Sequence, residues 1–228
     1  MAKGVILIVL GLASTLVLAF ASYHSKSQAV KVLFWVALFA AASVIVDTSM
    51  DFTPLEGLVM GTRSGSVDPG MLVYALQRKG LDGKTLDRAL NYESGLLGLS
   101  GISSDMRQIL SELPHNPDAR LAVEVYVHRI RKTVGAMAAT LGGVDALVFT
   151  AGVGERSQEI RKRVCEKLGY LGLELDQAAN ETCKPDADIA TLASTARILV
   201  IATREDLTIM RETRRLIGSS IKRRVKQK

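Results

Sequence analysis

The sequence predicts an α/β fold, on three observations. Residues 146–150 (ALVFT) and 197–201 (RILVI) are short apolar runs of the kind that form buried strands. Each is followed by turn residues and then a helical pattern. A long amphipathic helix precedes the first of them. Strands alternating with helices layer helices against a sheet.

The first element is not of this kind. Residues 4–22, GVILIVLGLASTLVLAFAS, carry no charge and match the ~20 apolar residues that cross a bilayer. A polar break at residues 23–28 separates them from a second apolar run, 32–46. A membrane anchor, as one span or a pair, is the leading reading, with membrane contact through residues 4–46. Two others compete. Lys3 and the Ala19-Phe20-Ala21 pattern suit a secretory signal. The stretch could also be the trace of a disrupted gene. The β-prone residues 32–36 leave open a further option, strands paired into the following domain. The expected organisation is therefore an apolar segment 1–46, a folded domain 47–217 and a basic tail 218–228.

Composition changes at Asp47, where glycines, charges and turn signals begin. Asp68-Pro69 is an N-cap with proline at the first helical position, leading into Met71, Leu72, Ala75 and Leu76. Thr85 starts a short helix through Leu90. Ser103-Ser104-Asp105 caps another, ending near Leu113. Asn116-Pro117-Asp118 opens the long helix, whose stripe is Val123, Val127, Ile130, Val134, Met137 and Leu141. Gly142-Gly143 stops it. The strand 146–150 then feeds a glycine turn, Ala151-Gly152-Val153-Gly154, and a helix from near Ser157. The strand 197–201 feeds Thr203-Arg204-Glu205 and a last helix to about Ile217.

The formal charge of +6 sits largely in the terminal stretch 222–228. That is expected to be a solvated tail, with weak contact to acidic lipid as the rival. Aromatic residues make up only 5% of the chain, which argues against a base-stacking surface for nucleic acid. Cys165 and Cys183 form no CxxC pair and no histidine completes a metal site, so free thiols in a reducing cytosol are expected.

Four segments could carry chemistry. The glycine turn ends a strand, opens a helix and can present backbone N–H groups to an anion; it is equally a plain turn. Arg63, between small residues in Met60-Gly61-Thr62-Arg63-Ser64-Gly65, offers a planar fork for a carboxylate or phosphoryl group, or is a surface arginine. Glu205-Asp206 either complement a helix dipole or hold Mg²⁺ on phosphates. Ser103 to Arg107 alone reads as a helix cap.

Together the strings are specific. Asp47-Thr48-Ser49-Met50, Phe52-Thr53-Pro54-Leu55-Glu56-Gly57-Leu58 and Met60-Gly61-Thr62-Arg63-Ser64-Gly65 resemble the acetate kinase family signature, continued by Asp68-Pro69-Gly70. Ser100 to Arg107 is similar to that family's adenosine-side loop, Phe149 to Glu155 to its second nucleotide loop, and Thr203 to Leu207 to its terminal acidic motif. The resemblance covers about residues 46–217, the C-terminal half of such a kinase. It implies an actin-like, RNase H-like ATPase domain, transfer of the ATP γ-phosphoryl group to acetate or another short carboxylate, Mg²⁺ as cofactor, and a homodimer. By it, Arg63 is catalytic, Asp105, Met106, Arg107, Gly152, Val153, Gly154 and Glu155 bind nucleotide, and Glu205 is on the metal side. It implies a cytoplasmic kinase domain that is incomplete by itself. The first catalytic arginine, the acidic catalytic residue and much of the acetate pocket belong in the family to a preceding domain, and where the family has a His-x-Gly-x-Gly loop, just before Asp47, this sequence has the apolar residues 32–46. A non-catalytic tethered nucleotide-binding or dimerisation module, a gene remnant and a propionate- or butyrate-type kinase stay open. Arg156 and Arg204 depart from the family pattern and bring positive charge to the nucleotide side.

Overall fold

A computed structural model describes residues 5–10, 15–21, 44–50 and 52–204, together with 206, 209, 210, 213 and 214. One six-stranded sheet organises the chain, in the order β3-β2-β1-β4-β6-β5. Its strands are β1 (Val5–Leu10), β2 (Thr15–Ala21), β3 (Val44–Thr48), β4 (Ala146–Thr150), β5 (Ala187–Asp188) and β6 (Arg197–Val200). β1, β2 and β3 pair antiparallel, with an irregularity between Ala19 and Phe20, while β1, β4 and β6 run parallel. The two-residue β5 closes the far edge antiparallel to β6.

This changes the picture of the N-terminus. Residues 5–10 and 15–21 of the run read as a membrane anchor form two consecutive strands here, and β1 lies directly beside β4. The expected boundary at 46/47 falls inside β3. No described helix is long and apolar enough to cross a membrane. The physical reason for the ambiguity is simple: an uninterrupted apolar run suits a sheet strand covered on both faces as well as a bilayer. Most of residues 22–46 and the tail 215–228 lie outside the described residues.

The helices are α1 (Pro69–Arg78), α2 (Gly83–Tyr92), α3 (Gly95–Ser100), α4 (Met106–Glu112), α5 (Pro117–Leu141), α6 (Ala151–Arg156), α7 (Gln158–Cys165) and α8 (Gln177–Thr182), with a 3₁₀ turn at Gly169–Leu171. α5 is the core organiser. Asn116 caps it, accepting hydrogen bonds from the N–H groups of Asp118 and Ala119 at 2.8 and 3.2 Å, and Gly142 ends it at φ +73°. Of the expected stripe, Val123, Val127, Ile130, Val134 and Met137 are buried and Leu141 is half-buried. Tyr126 and the small Ala119, Ala122 and Ala138 complete the buried face. Each fully buried Val or Ile there contributes about 1.5–3 kcal/mol. α5 packs on α3, α4, α7 and the antiparallel strands, so one helix joins both ends of the molecule.

Two expectations need correction. The segment Ala151 to Gly154 is not an open turn; it winds straight into α6, and Ser157 then caps a second helix, α7, by accepting from Ile160 N–H at 3.3 Å. α1 has its Asp68 cap (2.7 Å to Gly70 N–H) but buries none of its residues. Of the last expected helix, residues 206, 209, 210, 213 and 214 are helical.

Candidate nucleotide and phosphoryl site

β1, β4 and β6 end at the same edge of the sheet, and in α/β sheets ligands bind outside the carboxyl ends of parallel strands. The segments after β4 and β6 are the sequence-expected glycine turn and the stretch leading to Glu205. The structure ties them together. Thr203 Oγ1 accepts a hydrogen bond from Ala151 N–H at 2.8 Å and lies 3.1 Å from Thr150 Oγ1. Glu155 Oε1 accepts from both Thr203 N–H (2.9 Å) and Thr203 Oγ1–H (2.6 Å). Ala151, at the junction, has φ +57°, a left-handed conformation that strains a residue with a Cβ. Gly154 is packed on the strand it follows: a Cβ there would lie 3.4 Å from the Phe149 carbonyl carbon. Gly152 is exposed and Val153 half-exposed, so this part of the backbone is open to a ligand.

Beneath α6 sits a cation that the sequence reading missed. Arg161 is 2% exposed. Its Nη1 donates to the carbonyls of Gly154 and Glu155, both at 2.9 Å. Its Nε and Nη2 donate to Asn180 Oδ1 (2.8 Å) and Asn180 O (3.1 Å). Asn180, 1% exposed, in turn donates from Nδ2 to Gln158 O at 3.0 Å. Burial holds the Arg161 pKa below the usual arginine value, yet guanidinium stays charged at any ordinary pH. A signal existed in the sequence: Arg161 falls on the buried stripe of α7 with Ile160, Val164 and Cys165.

Arg63 lies in a separate cluster, half-buried. Its loop is held mainly by backbone, with a side-chain bond from the Thr62 hydroxyl to Asn91 O at 2.9 Å. Met60 N–H donates to Arg63 O, Leu96 N–H to Met60 O, Leu97 N–H to Gly61 O and Ser94 N–H to Thr62 O, at 2.8–3.1 Å. Gly95, at φ +65°, makes this docking possible: a Cβ there would sit 2.3 Å from Met60 O. A Cβ on Gly61 would lie 3.2 Å from Ser104 O, so the arginine loop abuts the segment leading to Asp105.

Asp105 caps α4, accepting from Arg107 N–H at 2.9 Å, and pairs with the Arg107 guanidinium at 2.6 Å. The side-chain hydrogen bond from Arg107 holds the Asp105 carboxyl below the usual carboxylate range. Met106 is buried in the core. The hydrogen bonds thus gather Gly154, Glu155 and Thr203 in one cluster, while the Arg63 loop abuts the 103–105 segment through Gly61. Glu205 lies outside the described residues, and no group of three metal-ligating side chains occurs among the described ones. Of the two departing arginines, Arg156 is exposed, and Arg204 (φ +47°) turns its guanidinium onto Asp186.

The chain matches the model of the Acetokinase family over residues 39–211. It is 55% identical over 165 residues to an acetate kinase of Nostoc punctiforme, a match covering 72% of this chain and 41% of that protein. Among solved structures it is similar to an acetate kinase of Porphyromonas gingivalis (TM-score 0.77, 34% identity, 94% of this chain and 49% of that one). It is also similar to a propionate kinase of Francisella tularensis (TM-score 0.74, 35% identity, 91% and 48%). The chain spans about two fifths of the length of the curated relatives it matches. On the family match, the actin-like α/β sheet and the site strings taken together, the chain belongs to the acetokinase family.

Proposed function

We propose that this chain forms the nucleotide side of an acetate kinase-type phosphotransferase, with ATP as donor and acetate or another short carboxylate as acceptor. The observation that carries the reading is the joining of the segments after β4 and β6 at the carboxyl edge of the sheet, by Thr203 and Glu155. Gly152 is exposed and leaves an open approach to that edge.

In the reaction proposed, an acceptor carboxylate oxygen attacks the γ-phosphorus, the bond to the β-phosphate oxygen breaks, and ADP leaves with that electron pair. This chain's contribution is placement and charge. Arg63, on a loop fixed by backbone hydrogen bonds, would hold the equatorial oxygens of the transferring group, where charge spreads in the transition state. The 151–154 backbone would lie along the phosphates. The 103–107 segment would face the adenosine, its first turn set by the Asp105 cap. Mg²⁺ and its side chain Glu205 belong to the proposal through the family resemblance. So do a homodimer and a cytoplasmic setting.

The acceptor pocket and the remaining catalytic groups would come from outside these 228 residues, since closure of two lobes normally completes such a site. The test is acetyl phosphate formation from ATP, Mg²⁺ and acetate by the full chain, trapped as the hydroxamate. The expected result is ATP binding with little or no product. Steady turnover by the chain alone would overturn the incompleteness. Absence of both binding and product would overturn the nucleotide reading.

A further inference from the structure

The glycine segment must be held rigidly to receive phosphates, yet its own chemistry is poor for that. It contains two glycines and a left-handed alanine, and α6 is only six residues long. We infer that Arg161 and Glu155 are positioning residues that fix this segment from below and from the side, and that the Glu155 carboxylate is not itself a nucleotide ligand. The inference rests on the nucleotide reading above and deepens it.

Three observations carry it. First, Arg161 is a buried cation with no carboxylate partner among the described residues: each acceptor it meets there is a carbonyl oxygen, on Gly154, Glu155 or Asn180. Pulling the 154 and 155 carbonyls inward fixes the peptide planes at the end of α6. A buried guanidinium is costly unless its donors are filled, so this geometry is tightly specified. Second, the same residue whose carbonyl Arg161 holds sends its side chain the other way. Glu155 Oε1 meets both the N–H and the hydroxyl of Thr203. A carboxylate bound so is occupied, and would repel a polyphosphate if it faced one. Third, Thr203 closes the circuit by accepting from Ala151 N–H, the strained residue at the start of the segment. The series Asn180, Arg161, Glu155, Thr203, Ala151 thus clamps both ends of the segment and joins the termini of β4 and β6.

The experiment uses the full chain with Thr203→Val, Thr203→Ser and Arg161→Lys beside wild type. Amide hydrogen exchange over residues 150–156 and 201–204 reads the clamp without any ligand. Calorimetry with ATP–Mg²⁺ reads its consequence. Thr203→Val, which keeps shape and loses the hydroxyl, should speed exchange at Ala151 and weaken ATP by about tenfold each, the scale of one lost hydrogen bond. Thr203→Ser should restore both. Arg161→Lys, which cannot reach all four acceptors, should loosen exchange at 154–156 while the melting transition stays cooperative. Unchanged exchange in Thr203→Val would overturn the clamp. So would exchange that rises with no loss of ATP affinity. If wild type binds no ATP, the nucleotide reading fails, and the clamp is decided by exchange alone.

Discussion

The arginine loop and the glycine segment are fastened by opposite means. The loop around Arg63 is fastened by main-chain hydrogen bonds to the start of α3, and by a glycine that lets two backbones touch. The segment after β4 is fastened by side chains: a buried arginine, a carboxylate and a threonine hydroxyl. Backbone fastening tolerates most side-chain changes but no added Cβ at the contact. Side-chain fastening tolerates small changes of volume but not the loss of a polar group. The first kind is readable as a glycine string, the second hardly at all.

The largest effect should come from breaking the backbone fastening. Gly95→Ala puts a methyl 2.3 Å from Met60 O at φ +65°, so overpacking and strain together should cost about 3 kcal/mol. Urea unfolding checks this; a loss no larger than that of Gly80→Ala, where the Cβ meets open space at the same φ, would refute it. Next is Arg161→Met, which keeps the stem but leaves buried carbonyls without a donor. A loss of about 2 kcal/mol is expected by the same measurement.

The cysteines sharpen the contrast from within the second region. Burial pushes the Cys165 thiol up to about 12, and also raises Cys183, which is less enclosed. Iodoacetamide at pH 8 should therefore alkylate Cys183 at least about tenfold faster than Cys165 in the folded chain, read by mass spectrometry. Equal rates would mean the region around α7 opens readily. The sign for stability is clear: a raised thiol pKa favours the fold below the unfolded value and loses that advantage as pH climbs toward 12.

The smallest effect belongs to Asp105→Asn. The depressed carboxyl contributes its stability above its unfolded value, about 3.9, and loses it as pH falls through the lower folded value. Arg107 is exposed, so solvent screening keeps this small. The variant should unfold like wild type near neutrality and show a flatter acid limb; a large loss at pH 7 would contradict the exposed cap.

Much of the frame was legible. The long stripe of α5, the Asp68, Asp105 and Asn116 caps and the buried β4 run follow from periodicity and capping chemistry, which act over a few residues. The glycine string lies at the end of β4, where hydrogen bonds tie it to the segment after β6. What stayed hidden depends on partners far along the chain. Residues 4–22 read as a membrane span because apolar strands and apolar helices share a composition until their neighbours are known. α3 begins at a positive-φ glycine whose reason is Met60, and Arg161 looks like any surface arginine until Asn180 is placed beside it.

The account turns on whether this chain holds a working nucleotide half-site. Calorimetry of ATP–Mg²⁺ on the full chain, with Glu205→Ala beside it, tests that directly. The account predicts saturable binding to wild type, weakened by about tenfold in the variant, the scale of a lost charged contact to the metal–phosphate group. No heat of binding to a wild-type chain that melts cooperatively would contradict it.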